Sequence, residues 1–282
     1  VITVFVFTVL IYARADYGDI RATLARPGRL AITVVAAILA PPILLGMLVA
    51  IVGREAIEPA LLLGLALYVA SPVLNGSPAY ALLLGFRNGL ILTVLFINLL
   101  ATPLVAPAIA SLLVGETLPL SGGDLAIRLA IVIFGATIGA FLLRRVVGKP
   151  WLDRNAEALN GLNVVMYFLF AIAAMDGVID ATRADPLRTV WFLAVAFAVS
   201  AAAFSVALVL ARRPLGENDG FTLSMGIGLR NIGLLVAAFG PSLPAESYLY
   251  FSLSQFPTYL APLLLGLAVR RWPRLAKGGS HA

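Results

Sequence analysis

The sequence predicts an all-α, polytopic membrane protein with nine transmembrane helices in view, and three observations predict it. Hydrophobic residues make up 61% of the 282 residues and charged residues 12%, about half the charge of an ordinary soluble domain. Mean hydropathy is +1.00, so the chain has too little polar surface to cover itself in water. The apolar residues also fall in runs long enough to span a bilayer, which takes roughly 20 residues, and short loops separate the runs.

The runs are 1–13, which is cut short, then 29–52, 59–86, 88–114, 125–147, 159–181, 187–211, 217–240 and 245–270. Val1 is no initiator and opens inside an apolar run, so a tenth, N-terminal helix is expected before it. The tail Gly278-Gly279-Ser280-His281-Ala282 reads as an artificial appendage or a disordered end. His281, the only histidine, is assigned no role.

Loop charges set the orientation. Strict alternation of nine spans puts fifteen Lys and Arg residues on one side, including Arg14, Arg21, Arg26, Arg29, Arg87, Arg144, Arg212, Arg270, Arg274 and Lys277. Only Arg54, Arg183 and Arg188 fall on the other side. The positive-inside rule then makes the C-terminus cytoplasmic, in an integral protein of a bacterial inner membrane. The net charge of +6 reflects this topology and implies no nucleic-acid partner. With no cysteine, disulfides, thiolate metal sites and thiol catalysis are excluded.

Two segments make poor continuous helices. Segment 59–86 would be about 42 Å long if straight, and it contains Ser71-Pro72 and Asn75-Gly76-Ser77-Pro78. Segment 217–240 carries Gly226-Ile227-Gly228-Leu229-Arg230-Asn231-Ile232-Gly233 at mid-depth. Proline removes a backbone donor and clashes with the preceding turn, while glycine weakens the helix. Backbone unwound inside a bilayer must be buried in protein or line a wet cavity. The interruptions lie five segments apart, and the segments after them share a proline pattern, Pro103 and Pro107 against Pro257 and Pro262. A repeat of five spans inverts on its second pass. Inverted repeats with paired broken helices are a secondary-transporter organisation, with the binding site where the breaks meet.

At these segments the chain resembles the bile acid:sodium symporter superfamily. Gly228-Leu229-Arg230-Asn231-Ile232-Gly233-Leu234 is similar to that family's second crossover, Gly-x-Gln-Asn-x-Gly-Leu. Phe251-Ser252-Leu253-Ser254-Gln255-Phe256-Pro257 looks like the start of its last helix. The stretch from Ala13 to Leu30, with Asp19-Ile20-Arg21 and Arg26-Pro27-Gly28-Arg29, resembles its second helix and first cytoplasmic loop. The resemblance implies a panel domain of 1–28 and 125–186 and a core domain of 29–114 and 187–270, followed by a tail at 271–282. The core would hold two crossing broken helices, substrate would lie between the bundles beside the crossover, and access would alternate. The departures fall on the family's sodium ligands. Its Glu position is Gly226 here, its Gln position is Arg230 and its Ser-Asn pair is Ser77-Pro78. Hydroxyl positions of the next helix fall near Ile91 and Leu95. Sodium coupling is therefore not expected, and neither is a metal or cofactor.

Arg230 carries the site expectation. A guanidinium stays charged and offers five donors in a planar fork, so it can stand where sodium stands in relatives, brace the crossover and attract an anion. The competing reading is a purely structural charge that caps carbonyls or pairs with an acid. Asn231, Asn75 and Ser77 either bond half-helix ends or reach the substrate, while Pro78, Gly226 and Gly228 shape the crossover backbone. Gln255 either faces substrate or bonds between helices. Thr93, Asn98 and Thr102 are read as helix packing, Arg87 as a helix-end residue that snorkels or meets phosphate, Gly135 and Gly139 as a packing pair, and Asp176, Asp180 and Asp185 as solvated surface. No nucleophile or acid–base constellation points to an enzyme. The expected function is secondary-active or facilitative transport of a small organic anion. Conventional sodium symport and a non-transporting receptor or scaffold remain the alternatives.

Overall fold

The computed structural model describes residues 2–14, 17–115 and 118–271. The tail with His281, and the basic residues Arg274 and Lys277, lie outside the described residues. Thirteen α-helices follow in order: α1 Ile2–Arg14, α2 Tyr17–Leu24, α3 Pro27–Val52, α4 Pro59–Ala70, α5 Ser77–Leu83, α6 Gly89–Val114, α7 Gly122–Val147, α8 Lys149–Arg154, α9 Ala156–Ala174, α10 Val178–Ala184, α11 Pro186–Gly228, α12 Ile232–Phe239 and α13 Ala245–Arg271. Among the described residues six stretches are long and apolar enough to cross a membrane: α3, α6, α7, α9 with α10, α11 and α13. Shorter apolar helices run over Ile2–Arg14, Pro59–Ala70 and Ile232–Ser242. The chain is thus all-α and polytopic.

Proline and glycine punctuate these helices. Pro27, Pro59, Pro78 and Pro186 stand in first turns, where the missing N–H costs nothing. Helix α4 stops at Ser71 because Pro72 follows, which pushes Ser71 into extended backbone (ψ 151). The 43 residues of α11 are two arms folded about Gly216, whose φ of 81° and ψ of 169° suit glycine. A Cβ on Gly220 would lie 2.5 Å from Cα of Arg212, and one on Gly228 would lie 2.8 Å from Cβ of Phe204. The returning arm therefore packs closely along the first. This turn separates the expected segments 187–211 and 217–240.

Burial separates inside from outside. Every residue from Leu61 to Ala70, and nearly every one from Gly220 to Phe239, is buried. Helices α3, α7 and α9 instead carry exposed apolar side chains, such as Ile32, Val35, Ile43, Met47 and Ile51 on α3. A surface so apolar calls for lipid. Gly135 and Gly139 let α7 approach α1, since a Cβ at either would meet Phe5 or Val9 at 3.3 Å. Asp185 caps α11 by accepting from the Arg188 amide, and Asp176 and Asp180 are exposed.

Candidate functional site: the crossing of two broken helices

Both interrupted segments leave the helix and meet. Residues 71–76, between α4 and α5, and 229–231, between α11 and α12, are non-helical. They pair antiparallel at Val73 and Arg230. The Leu74 amide donates to the Leu229 carbonyl (3.0 Å), and the Asn231 amide donates to the Pro72 carbonyl (2.9 Å). Backbone unwound in an apolar interior must find partners, and here each break supplies them to the other. The expectation that Pro78, Gly226 and Gly228 form the crossover backbone needs adjusting. All three lie in the flanking helical turns, because the chain leaves the helix one residue after Gly228 and re-enters one residue before Pro78.

Side chains satisfy what the pairing leaves over. Asn98 of α6 accepts from the Val73 amide through Oδ1 at 2.7 Å, so it holds the crossover and does more than the helix packing expected of it. The Gly228 carbonyl, in the last turn of α11, accepts from Tyr68 Oη and from Ser200 Oγ, each at 2.5 Å. Neither Tyr68 nor Ser200 stands out in the sequence. Tyr68 is nevertheless the one hydroxyl in the aliphatic run of α4, and that was the available signal.

Arg230 is 2% exposed. Its Nη1 donates to the Ala37 carbonyl at 2.9 Å and its Nη2 to the Val69 carbonyl at 3.4 Å. Both acceptors are orphans for identifiable reasons. Ala37 would be bonded by residue 41, which is Pro41 and has no N–H. Val69 would be bonded by the Val73 amide, which has turned to Asn98. No acidic side chain pairs with Arg230 among the described residues, so its charge is uncompensated by any carboxylate. A void of about 10 Å³ beside it, lined also by Asn98 and Thr102, holds at most a water and no organic anion.

The remaining expected residues divide. Asn75, Ser77 and Asn231 are buried within a few residues of the Val73–Arg230 pair. Asn75 Nδ2 donates to Thr8 Oγ1 of α1 at 3.1 Å, whereas Asn75 Oδ1, Ser77 Oγ and Asn231 Nδ2 have no partner. The half-helices α5 and α12 begin beside them without side-chain caps. Gln255 is buried in α13 and shares no hydrogen bond with these residues. Its Nε2 donates to the Phe251 carbonyl (3.2 Å) and to Ser254 Oγ (3.4 Å) of its own helix. Thr93 and Thr102 likewise bond carbonyls four residues back. At Gly226 the space that a side chain would take is filled: a Cβ there would lie 2.6 Å from Ile91 Cδ1 and 3.1 Å from Val73 Cγ1.

No curated protein matches the chain. The model of the Sodium Bile acid symporter family matches residues 1–181, a stretch that runs from α1 into α10 and contains the first broken helix and Asn98, but ends before Arg230. The match covers more than half of the sequence and agrees with the all-helical, apolar architecture: the chain belongs to the sodium bile acid symporter family, a family of transporters.

Proposed function

We propose that this protein is a secondary-active or facilitative transporter of a small organic anion that works by alternating access without sodium coupling, Arg230 holding the place of a sodium ion at the crossover. The observation that carries the reading is the Arg230 guanidinium seated between the Ala37 and Val69 carbonyls. A cation site needs several oxygen donors converging on one point. On the resemblance, the positions that bear the family's ligands are Gly226, Arg230 and the pair Ser77-Pro78, with Ile91 and Leu95 wholly buried hydrocarbon, so Ser77 Oγ is the single hydroxyl left. Ile91 occupies the room over Gly226. Sodium does not fit that donor set. A permanent guanidinium gives the same positive charge without exchanging with solvent.

The substrate anion would lie off Arg230, among the unpartnered polar atoms of Asn75, Ser77 and Asn231, where two uncapped half-helix starts add favourable dipole ends. Arg230 acts on it through its field and by bracing the crossover. In the proposed division α1 lies against α7 and α9, α3, α4 and α6 pack on one another and on α11 or α13, and α6 against α7 forms a broad contact between the two bundles. With a helix ahead of α1 the chain would have ten spans in two inverted five-helix repeats, panel 1–28 and 125–186, core 29–114 and 187–270, its basic end cytoplasmic. Counterflow of radiolabelled carboxylates and sulfonates in proteoliposomes tests the proposal, with sodium present or replaced by potassium. Equal uptake in the two salts is expected. Uptake that requires sodium would restore conventional symport, and binding without counterflow would make the protein a receptor or scaffold.

A further inference from the structure

A cavity of about 430 Å³ lies away from the crossover, at the end of the bundle where the basic loops gather. Arg26 and Arg29 border it at the start of α3, Arg87 just before α6, and Asp219 just past the Gly216 turn. Three guanidinium groups thus face one carboxylate. Asp219 is already engaged: its Oδ2 lies 2.8 Å from Arg29 Nη2, and its Oδ1 accepts from Asn218 Nδ2. Arg29 is held further by donating to the Leu215 carbonyl, yet its Nε is buried with no partner. Neither Arg26 nor Arg87 has an acidic partner among the described residues.

Arg87 is positioned with some care. Asn218 accepts from its amide at 2.7 Å and donates to its carbonyl at 3.3 Å. The turn at Gly85 (φ 83°) delivers it there. Gly89 and Leu90, the first residues of α6, form part of the wall, and the Asn88 cap makes no side-chain bond to them. Amides at a helix start and two free guanidinium forks together match a phosphate group. Leu30, Leu82 and Leu90 add apolar side chains to the lining, and Leu82 is 60% exposed.

We infer that this cavity binds a phosphate ester, through Arg26, Arg87 and the start of α6, at a place separate from the transported anion. That chemistry is offered by a soluble glycerol phosphate and by the headgroup of an anionic phospholipid, and the apolar side chains would accept the root of an acyl chain. The inference stands independently of the transport reading.

Binding is measured on the purified full chain in two arms. Glycerol 3-phosphate is titrated in detergent by isothermal calorimetry, and phosphatidylglycerol against phosphatidylcholine is compared by native mass spectrometry. Binding of glycerol 3-phosphate identifies a soluble ligand, and retention of phosphatidylglycerol alone identifies a lipid. Either result supports the site, provided that Arg87→Gln weakens binding about tenfold, as expected from losing one charge-assisted hydrogen bond. The double variant R26Q/R87Q should abolish binding. Arg145→Gln, an exposed arginine at the same end on α7, should leave binding unchanged. Arg87→Lys keeps the charge without the fork, so an intermediate affinity is expected even if a glutamine variant folds poorly. The inference is overturned if the wild type binds neither ligand, if R87K and R87Q both bind like wild type, or if R145Q loses as much as R87Q.

Discussion

Replacing Arg230 by Gln separates the two things its guanidinium does. Gln reaches less far and can keep at most one of the two carbonyls, and the shorter Nη1–Ala37 contact of 2.9 Å marks the stronger bond. Leaving one buried carbonyl without a partner costs about 1–3 kcal/mol. Against that, burying a cation at mid-membrane costs about 2.5–3.5 kcal/mol on insertion scales, and the variant is relieved of it. The two nearly cancel, so Arg230→Gln should fold and melt within a few degrees of the wild type. Transport should not survive so well. A fixed positive charge about 8 Å from an anion, at an effective dielectric of about 20, is worth about 2 kcal/mol, or about 30-fold in affinity. The assay is uptake of an organic anion into proteoliposomes at matched protein density, with melting followed by intrinsic fluorescence. A well-folded Arg230→Gln protein that takes up the anion at the wild-type rate and concentration dependence would refute the electrostatic role. Collapse of the fold would instead show that the bracing role dominates.

Two further outcomes follow from the crossover. Tyr68→Phe and Ser200→Ala each leave the Gly228 carbonyl one hydroxyl partner, so each should cost about 1 kcal/mol, whereas the pair together orphans that carbonyl and should cost more than the sum; chemical denaturation in detergent measures the excess, and strict additivity would contradict a shared cap. Gly226→Ala pushes a methyl against Ile91 Cδ1, 2.6 Å away in the present packing, and should destabilise by about 1–3 kcal/mol. Ile91→Val removes that terminal carbon and should recover part of the loss, as read by thermal melting of the double variant.

The breaks were legible because proline and glycine act locally. Ser71-Pro72 and the glycines around Arg230 interrupt helices wherever they stand, and an arginine in an apolar span demands partners. Which partners those are was not legible. The acceptors of Arg230 lie 161 and 193 residues away in sequence, and the freeing of one of them depends on Pro41, a proline inside a helix that otherwise reads as an ordinary span. Tyr68 and Ser200 escaped notice, and Asn98 was read as helix packing alone, for a related reason. Hydroxyls in membrane helices commonly bond their own preceding turn, as Ser71, Thr93 and Thr102 do here, so composition cannot single out those that reach across. Gln255 shows the converse: read as facing substrate or bonding between helices, it donates to carbonyl and hydroxyl oxygens of its own helix. The cavity at the basic end is built from loops and helix ends far apart in the chain, so Arg26, Arg29 and Arg87 each drew attention singly and not as one site.

The long sequence separation between Arg230 and its acceptors also orders the making of the molecule. Synthesis runs from the N-terminus, so residues 37 and 69 leave the ribosome well before residue 230 does. When the charged segment reaches the bilayer, the carbonyl that Pro41 leaves bare and the end of α4 are already waiting there. The most expensive residue of the second broken helix therefore enters a prepared seat. A protein lacking α3 and α4, or synthesised with its halves in the reverse order, would have to insert that charge without those two carbonyls.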